Sequence, residues 1–299
     1  MSFSRFDPHR VVVPTPLGEV AAIDHGRGDP ALFVHGVGTN AHLWAGVLDA
    51  LGDEHRCVAI DLPGHGRSPV SADQDLTIGA LADLVEAFCA THALERVDLV
   101  AHDTGGAIAQ VFAARHPERV RSFVLTNCDC HDNIPPAGFL PTVELARAGL
   151  IAPGAPDLLA DLLGARDVVF AMGYEDVTIL DEARMQDYLG TALGTPERAL
   201  AFERMLAGLE PSDLLAAEPA LAQLEAPTLV VWGAADELFE LSWAYWLRDA
   251  IGGADEVIEV PGAKLFWPDE RPDDLVPHLR RHWAAAAESA APAAPAALA

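Results

Sequence analysis

The feature that most constrains the fold is an alternation of short apolar runs with longer stretches of helical periodicity. The apolar runs are ALFVHG (31–36), CVAIDLPG (57–64), VDLVAHD (97–103), SFVLTNC (122–128), TLVVWG (228–233) and EVIEVPG (256–262). Strands that are apolar along their whole length are expected where helices cover both faces of a sheet. Alternating strands and helices therefore predict an α/β fold with a mostly parallel, doubly wound sheet.

One region interrupts this alternation. Residues 133–216 contain helical stretches separated by Pro and Gly, with no strand pattern. The region follows a predicted strand, at the sheet edge where doubly wound folds bind ligands. We therefore predict a helical cap over that edge. The predicted domains are a first core part at 1–132, the cap at 133–216, a second core part at 217–285 and a disordered Ala/Pro tail at 286–299.

Charge and composition indicate which binding partners and which cellular location to expect. The chain has 19 basic and 45 acidic residues, a net charge of −26. Such a surface repels nucleic acid and anionic membranes, so we expect neither of those partners. The acidity can equally serve only to keep the protein in solution, in which case it says nothing about the substrate. We expect a small-molecule substrate, and a homodimer is left open. The N-terminus has no signal-peptide pattern. The four cysteines match no disulfide framework, which favours a cytoplasmic protein with reduced thiols.

The segment AHDTGG (101–106) follows a predicted strand and opens a helix. A strand-turn-helix elbow exposes its central residue at the top of the sheet, and its usual pattern is G-x-S-x-G. Here Asp103 takes the place of the nucleophile. The alternative is that Asp103 is only the N-cap of the helix.

Two further turns surround this elbow in the predicted fold. In FVHGVGTN (33–40), the backbone N–H of Val37 can face an oxyanion together with the N–H of Thr104. In VVWGAADELFE (230–240), Asp236 lies three residues beyond a strand, where the charge partner of a catalytic base is expected.

These motifs, in this order, resemble the α/β-hydrolase superfamily over about residues 31–283. With Asp at the elbow, the chain looks most like the branch that contains haloalkane dehalogenases and epoxide hydrolases. The resemblance implies an α/β-hydrolase fold in which Asp103 attacks a carbon atom and forms an alkyl ester. It also implies that Asp236 orients a histidine, which activates the water that cleaves the ester.

The usual histidine is missing. The segment PGAKLFWPDERP (261–272) matches the family turn in length and flanks, but Lys264 and Leu265 occupy the Gly and His positions. A leucine cannot transfer a proton. We predict that Leu265 fills the space of the imidazole and that Asp236 finds other hydrogen bonds, with Lys264 as a candidate partner.

The segment TNCDCHDN (126–133) offers a substitute at the same sheet edge. His131 titrates near neutrality and is a candidate base. Asp129, if close to Asp103, would raise the pKa of both carboxyls and allow acid/base chemistry. The alternative is a turn whose acidic residues, Asp129 and Asp132, cap the first cap helix.

Metal and cofactor binding are not predicted. Cys128, Cys130 and His131 lie close in sequence, but the C-x-C spacing is unusual and no second ligand pair is present. The resemblance to hydrolases adds no cofactor.

The resemblance limits the classes of substrate that we expect. Haloalkane dehalogenases carry Trp and often Asn at the positions of Thr104 and Val37, which disfavours dehalogenation. Epoxide hydrolases bind the epoxide oxygen through cap tyrosines, and Tyr174 or Tyr188 is either such a residue or ordinary packing. The residues predicted to bind substrate are His35, Asp129, Tyr174, Tyr188 and Trp267.

The sequence therefore predicts an enzyme that acts on a small organic substrate through Asp103, most like an epoxide hydrolase. Two alternatives remain open. One is a non-hydrolytic reaction, namely ring opening, elimination or cyclisation, with Asp103 as general acid or base. The other is a ligand-binding protein without catalysis, because a fold alone does not decide function.

Overall fold

A computed structural model describes residues 3–290, in which strands form one mostly parallel sheet. The strands are β1 (Arg10–Thr15), β2 (Gly18–Gly26), β3 (Pro30–Val34), β4 (Arg56–Ile60), β5 (Val97–Asp103), β6 (Val120–Cys128), β7 (Thr228–Gly233) and β8 (Ala254–Val260). Their order across the sheet is β1-β2-β4-β3-β5-β6-β7-β8. β1 and β2 form an antiparallel hairpin, and β2 runs antiparallel to β4. The six strands from β4 to β8 in sheet order are parallel, as predicted.

Helices cover both faces of this sheet. They are α1 (Ala45–Leu51), α2 (Ile78–Thr91), α3 (Thr104–Arg115), α4 (Leu140–Arg147), α5 (Ile151–Ala160), α6 (Leu162–Val169), α7 (Glu182–Met185), α8 (Thr191–Leu193), α9 (Pro196–Ala207), α10 (Ser212–Leu221), α11 (Leu241–Ala250), α12 (Trp267–Glu270) and α13 (Pro272–Ala290). Every residue of β5 and β7 is buried. This double covering explains why these strands are continuously apolar in sequence.

A helical insertion lies between β6 and β7, as the sequence predicts. It runs from α4 to α9, and the chain then enters α10. Because α10 packs against α3 of the core, the cap ends before Ser212 and the predicted limit at residue 216 falls inside a core helix. The insertion follows the C-terminal end of β6 and therefore covers the edge of the sheet to which Asp103 belongs.

The C-terminus departs from the predicted tail. α13 continues to Ala290, so residues 286–290 are helical, and an Ala-rich stretch is favourable in a helix. The rest of the predicted tail, 291–299, lies outside the described residues. Within residues 3–290, no helix combines the length and apolarity that crossing a bilayer requires.

Candidate active site

Asp103 lies at a sharp elbow between β5 and α3. It is the last residue of β5, and its φ of 53° and ψ of −134° place it in a region that side chains rarely adopt. The crowding is severe, since a Cβ added at Gly36 would meet Asp103 Oδ2 at 2.2 Å and one at Gly105 would meet the His35 carbonyl oxygen at 2.2 Å. Asp103 occupies the N-cap position of α3, but its side chain makes no capping hydrogen bond, so capping does not explain why an aspartate stands here.

The predicted oxyanion turn holds one oxygen of this carboxyl group. The backbone N–H of Val37 donates to Asp103 Oδ2 at 2.8 Å. Val37 and Thr104 both border the pocket that contains Asp103. One carboxyl oxygen is therefore anchored in the place where an oxyanion would be stabilised.

Burial raises the pKa of Asp103 to about 7, although the N–H groups of Val37 and Thr104 favour its ionised form. The charge of Asp236 contributes to the increase. Desolvation disfavours a charged carboxylate because the surroundings cannot replace its hydration. Near neutral pH, Asp103 therefore exists in both protonation states.

Asp129 is a second buried carboxyl group in the same pocket. It follows the end of β6, and the Thr104 hydroxyl donates to its Oδ2 at 2.8 Å. Its Oδ1 is buried without a hydrogen-bond partner among the described residues. Burial raises the pKa of Asp129 well above its usual range, and the charge of Asp103 raises it further. The charge of Asp103 therefore disfavours the ionisation of Asp129, in addition to its burial.

Asp236 has no imidazole partner among the described residues. Its Oδ1 accepts the N–H groups of Leu238 at 2.8 Å and Phe239 at 3.2 Å, while its Oδ2 accepts Nδ2 of Asn127 at 2.8 Å. Burial raises its pKa to about 6 against these donors. Asp236 therefore finds other hydrogen bonds, as predicted.

Leu265 lies in the pocket wall, where the resemblance leads us to expect an imidazole. Its side chain is buried and borders the same cavity as Asp103. The neighbouring Lys264 points elsewhere, with Nζ 3.9 Å from Glu237 Oε1. The prediction that Lys264 pairs with Asp236 is therefore wrong, because the ammonium group finds an acidic partner at the surface.

Asn127 is a site residue that sequence reasoning missed. Its Oδ1 accepts the N–H of Gly233 at 2.7 Å and the indole N–H of Trp267 at 2.9 Å. Its Nδ2 donates to Asp236 and to the Gly233 carbonyl oxygen. Asn127 thus connects the ends of β6 and β7 to the segment that carries Leu265. The available signal was an amide side chain near the end of an otherwise apolar strand.

His131 does not reach the pocket, so its predicted role as substitute base is wrong. Its Nδ1 lies 2.5 Å from Glu218 Oε1, and its ring lies 4.9 Å from the ring of Trp246, centroid to centroid. The chain reverses at His131, where φ is 53°. This turn directs the imidazole towards α10 and α11, on the outside of the core.

Two other predicted substrate-binding residues stabilise the walls instead. His35 is fully buried, accepts the N–H of Leu62 on Nε2 at 2.9 Å and contacts the Gly36 carbonyl oxygen through Nδ1 at 2.7 Å. Trp267 uses its indole N–H for Asn127. Neither side chain borders the pocket, because both are held by backbone and side-chain partners behind its surface.

The cap tyrosines also face away from the pocket. The hydroxyl of Tyr174 donates to Asp269 Oδ2 at 2.9 Å, and that of Tyr188 donates to the same oxygen at 3.1 Å. Arg184 lies 3.3 Å from Asp269 Oδ1. These groups join the cap to α12, so the predicted binding of substrate by the two tyrosines is corrected to a role in packing and hydrogen bonding.

The cavity under the cap has a volume of about 280 Å³. Asp103, Thr104, Asp129 and Thr142 are its polar side chains, and the rest of the lining is apolar or glycine, with no basic or imidazole group. Representative apolar lining residues are Phe139, Leu158, Phe170, Leu193, Phe202 and Phe266. Within residues 3–290, no cluster of three His, Cys, Asp or Glu side chains could hold a metal ion.

Comparison with known proteins yields relatives across most of the chain. A family model described as the alpha/beta hydrolase fold matches residues 29–164. Haloalkane dehalogenase 2 of Mycobacterium tuberculosis is 27% identical over 273 residues, which are 86% of this chain and 89% of the relative. A cis-3-alkyl-4-alkyloxetan-2-one decarboxylase of Shewanella oneidensis is 25% identical over 268 residues, 86% of this chain and 83% of that protein.

The arrangement of the whole chain matches solved structures as well. The haloalkane dehalogenase DbeA of Bradyrhizobium elkani superposes with a TM-score of 0.79 over 94% of this chain and 99% of its own. The sequence identity of this pair is 21%, so the likeness concerns the fold. It agrees with the eight-stranded sheet described above.

Proposed function

We propose that this chain, which has the α/β-hydrolase fold and relatives among the haloalkane dehalogenases, opens a strained oxygen ring in a small, neutral, apolar substrate. The observation that carries the proposal is the pair of buried carboxyl groups, Asp103 and Asp129, at the polar end of an otherwise apolar cavity. An epoxide is the substrate that this pair fits best. Its opening requires a proton on the oxygen and a nucleophile at carbon, which a singly protonated pair supplies.

The first step uses the two carboxyl groups in different protonation states. The ionised Asp103 forms a bond from its oxygen to an epoxide carbon as the carbon–oxygen bond of the ring breaks. The protonated Asp129 gives its proton to the departing ring oxygen, which becomes a hydroxyl group. The product of this step is a hydroxyalkyl ester on Asp103 and an ionised Asp129.

The second step releases the product. The ionised Asp129 takes a proton from a water molecule that adds to the ester carbonyl carbon of Asp103. The N–H groups of Val37 and Thr104 stabilise the oxyanion that forms. Collapse of this intermediate breaks the Asp103 ester bond, and the departing alkoxide takes the proton back from Asp129. A diol is released and leaves Asp103 as a protonated carboxylic acid beside an ionised Asp129. Transfer of this proton from Asp103 to Asp129 restores the starting protonation state of the pair.

Dehalogenation fits this cavity less well. A departing halide needs N–H or other donors that solvate its charge. The pocket lining contains no Trp, Asn, Arg or Lys, and the hydroxyl of Thr104 already donates to Asp129. The Shewanella oneidensis relative is named for an oxetan-2-one, which is a strained oxygen ring. That name is in keeping with ring opening here.

A second candidate is proton transfer without a covalent step. No imidazole borders the cavity in the described part of the chain, so the group that commonly hydrolyses an alkyl-enzyme ester in this branch is missing. The pair would then act as general acid and general base in an elimination, ring opening or cyclisation. A single proton held by Asp103 and Asp129 suits this acid/base reaction as well as it suits the covalent route.

The decisive experiment combines product analysis with intact-mass measurement. Purified protein is incubated with 1,2-epoxyhexane, the diol is quantified, and the protein mass is followed over time. We expect turnover in the wild type. Asp103→Asn should abolish it, and Asp129→Asn should lower it by about 10²–10⁴-fold, as expected for loss of a general acid. His131→Gln is the matched control and should retain full activity.

The mass spectrum separates the candidates. A transient adduct on the peptide with Asp103, prolonged by Asp129→Asn, supports the covalent route. Turnover without an adduct in any variant supports proton transfer alone. A rise in melting temperature without product indicates a binding protein. Unchanged turnover in Asp103→Asn removes this residue from the mechanism and contradicts the proposal.

A further inference from the structure

The cavity opens to solvent between the cap and the loop that follows β6. Val168, Val169 and Met172 border the cavity and are also 80%, 44% and 47% exposed. Gly138, in the loop that follows β6, lies close to both Met172 and Leu238. A Cβ added at Gly138 would be 4.0 Å from Met172 Cε and 2.7 Å from Leu238 Cδ2. We call these five residues the mouth.

The mouth is apolar around its rim. Its side chains come from the end of α6, from the segment that follows α6 and from the loop beyond β7. Two charged residues adjoin the mouth in sequence, Asp167 before Val168 and Glu237 before Leu238. Asp167 pairs with Arg166 at 2.7 Å, Glu237 lies 3.9 Å from Lys264 Nζ, and none of these four residues borders the cavity. Exposed apolar side chains at the entrance of a cavity are typical of a site for an apolar ligand.

The cavity itself is small for a ligand site. Its volume of about 280 Å³ lies just below the range of roughly 300–1,000 Å³ common for such sites. At about 30 Å³ for each water-sized group, it holds roughly nine such groups. A substrate larger than this, with its reactive ring at Asp103, has to continue through the mouth.

We infer that the substrate is a lipid-like molecule with a reactive oxygen ring at one end and a linear hydrocarbon tail that passes between Val168, Val169 and Met172. This inference rests on the proposed function for the position of the ring. A tail in the mouth removes these three exposed apolar side chains from water. A charged or strongly polar tail is disfavoured there because the mouth offers it no partner.

The test uses non-reacting probes so that binding is measured apart from catalysis. Linear 1-alkanols from butanol to dodecanol, each below its solubility limit, are titrated into the full chain by calorimetry. Affinity should rise by about fourfold for each methylene group, the value expected for burial of a CH₂. The rise should continue past the chain length that fills the cavity.

Variants locate the tail. In the double variant Val168→Gln with Val169→Gln, short alkanols should bind as in the wild type, while the gain for each added methylene should disappear among the long ones. Leu163→Gln is the matched control, because Leu163 lies on the same helix, is 43% exposed and does not border the cavity. It should follow the wild type for every probe.

Several outcomes would overturn the inference. Affinity that stops rising once the cavity is full, or equal losses in the double variant and in Leu163→Gln, exclude a tail in the mouth. A change of oligomeric state in the double variant, measured by sedimentation, assigns the mouth to a protein interface instead. Turnover of short epoxides without any effect of alkanol chain length contradicts the proposed tail site but is consistent with the proposed function. Alkanol binding that depends on chain length, without epoxide turnover, supports the tail site and contradicts the proposed function.

Discussion

At the scale of residues, the proposed chemistry depends on two carboxyl groups that cannot both ionise easily. Asp103 has a pKa of about 7, and the pKa of Asp129 is raised well above its usual range. Because the groups interact, their titration steps belong to the pair and not to one residue. Reactivity should be greatest when the pair holds one proton.

This protonation requirement predicts a bell-shaped dependence of kcat/KM on pH. The rate should fall as pH drops below about 7, because Asp103 gains a proton and loses its nucleophilic form. It should fall again at higher pH, where Asp129 loses the proton that it donates. Initial rates of epoxide opening across pH 5.5–10 measure both limbs. Asp129→Asn should lose the alkaline limb, and a flat profile in the wild type would contradict the shared proton.

The raised pKa of Asp103 also predicts a pH-dependent stability. The native carboxyl has a pKa of about 7 and the unfolded one about 3.8, so the native state binds more protons between these values. The protonated Asp103 therefore stabilises the native state at low pH, and this stabilisation is lost as pH rises towards 7. From pH 5.5 to pH 8.5, the contribution of Asp103 to the free energy of unfolding should fall by about 2 kcal/mol.

Asp103→Asn removes this loss. We expect its free energy of unfolding, relative to that of the wild type, to be higher at pH 8.5 than at pH 5.5 by about 2 kcal/mol. Urea unfolding at both pH values measures the difference. Asp132→Asn, at an exposed aspartate in the loop that follows β6, is the control and should track the wild type. The same difference in both variants would show that the effect does not come from Asp103.

Leu265 gives a third prediction at this scale. Leu265→His adds an imidazole to the pocket wall that also contains Asp103. If Asp103 forms an ester, the added base should speed its hydrolysis, so the adduct seen by intact mass should decay faster than in the wild type. Leu265→Gln is the control for polarity alone. Equal decay in both variants would mean that the imidazole is too far from the water to act.

At the scale of elements, the cap and the segment after β8 hold each other in place. Phe266 donates its N–H to the Gly173 carbonyl oxygen at 2.7 Å, and its ring stacks on Tyr174 with centroids 4.9 Å apart. Asp269 in α12, whose side chain is buried, accepts hydrogen bonds from the hydroxyl groups of both cap tyrosines. The backbone that carries Leu265 is therefore fixed by the cap as well as by the sheet.

Removing one of these hydroxyl groups should loosen the cap. Tyr174→Phe leaves Asp269 with one donor fewer while it remains buried, so we expect a loss of about 1–3 kcal/mol in the free energy of unfolding. Tyr245→Phe is the matched control, because this tyrosine is 37% exposed on α11 and should change stability by less than about 0.5 kcal/mol. Denaturant unfolding measures both, and equal effects would contradict a special role for Asp269.

At the scale of the whole molecule, the net charge of −26 sets the response to salt. Like charges on a compact surface repel one another, and salt screens them over distances of about 10 Å at 0.1 M. The melting temperature should therefore rise from 10 mM to 500 mM NaCl. Choline chloride should have the same effect, which separates screening from binding of sodium. A constant or falling melting temperature would contradict the argument.

The sequence by itself determined the order of strands and helices, the elbow at Asp103 and the leucine at residue 265. These features are local. An apolar run between helices specifies a buried strand, and the motif around Asp103 constrains the backbone over a few residues. The turn that places the Val37 N–H beside Asp103 was predictable for the same reason, since it follows directly from the end of β3.

Only the tertiary structure decided which side chains near this edge face the cavity. Asp129 and His131 are two residues apart, yet Asp129 borders the cavity and His131 contacts Glu218 on the outside. The reversal at His131 separates them, and a turn of this kind follows from how β6 leaves the sheet and not from residue type. Tyr174 likewise turns to Asp269 because a buried carboxyl group far along the chain needs a donor. Such long-range pairing depends on the packing of distant segments, which local sequence patterns do not contain.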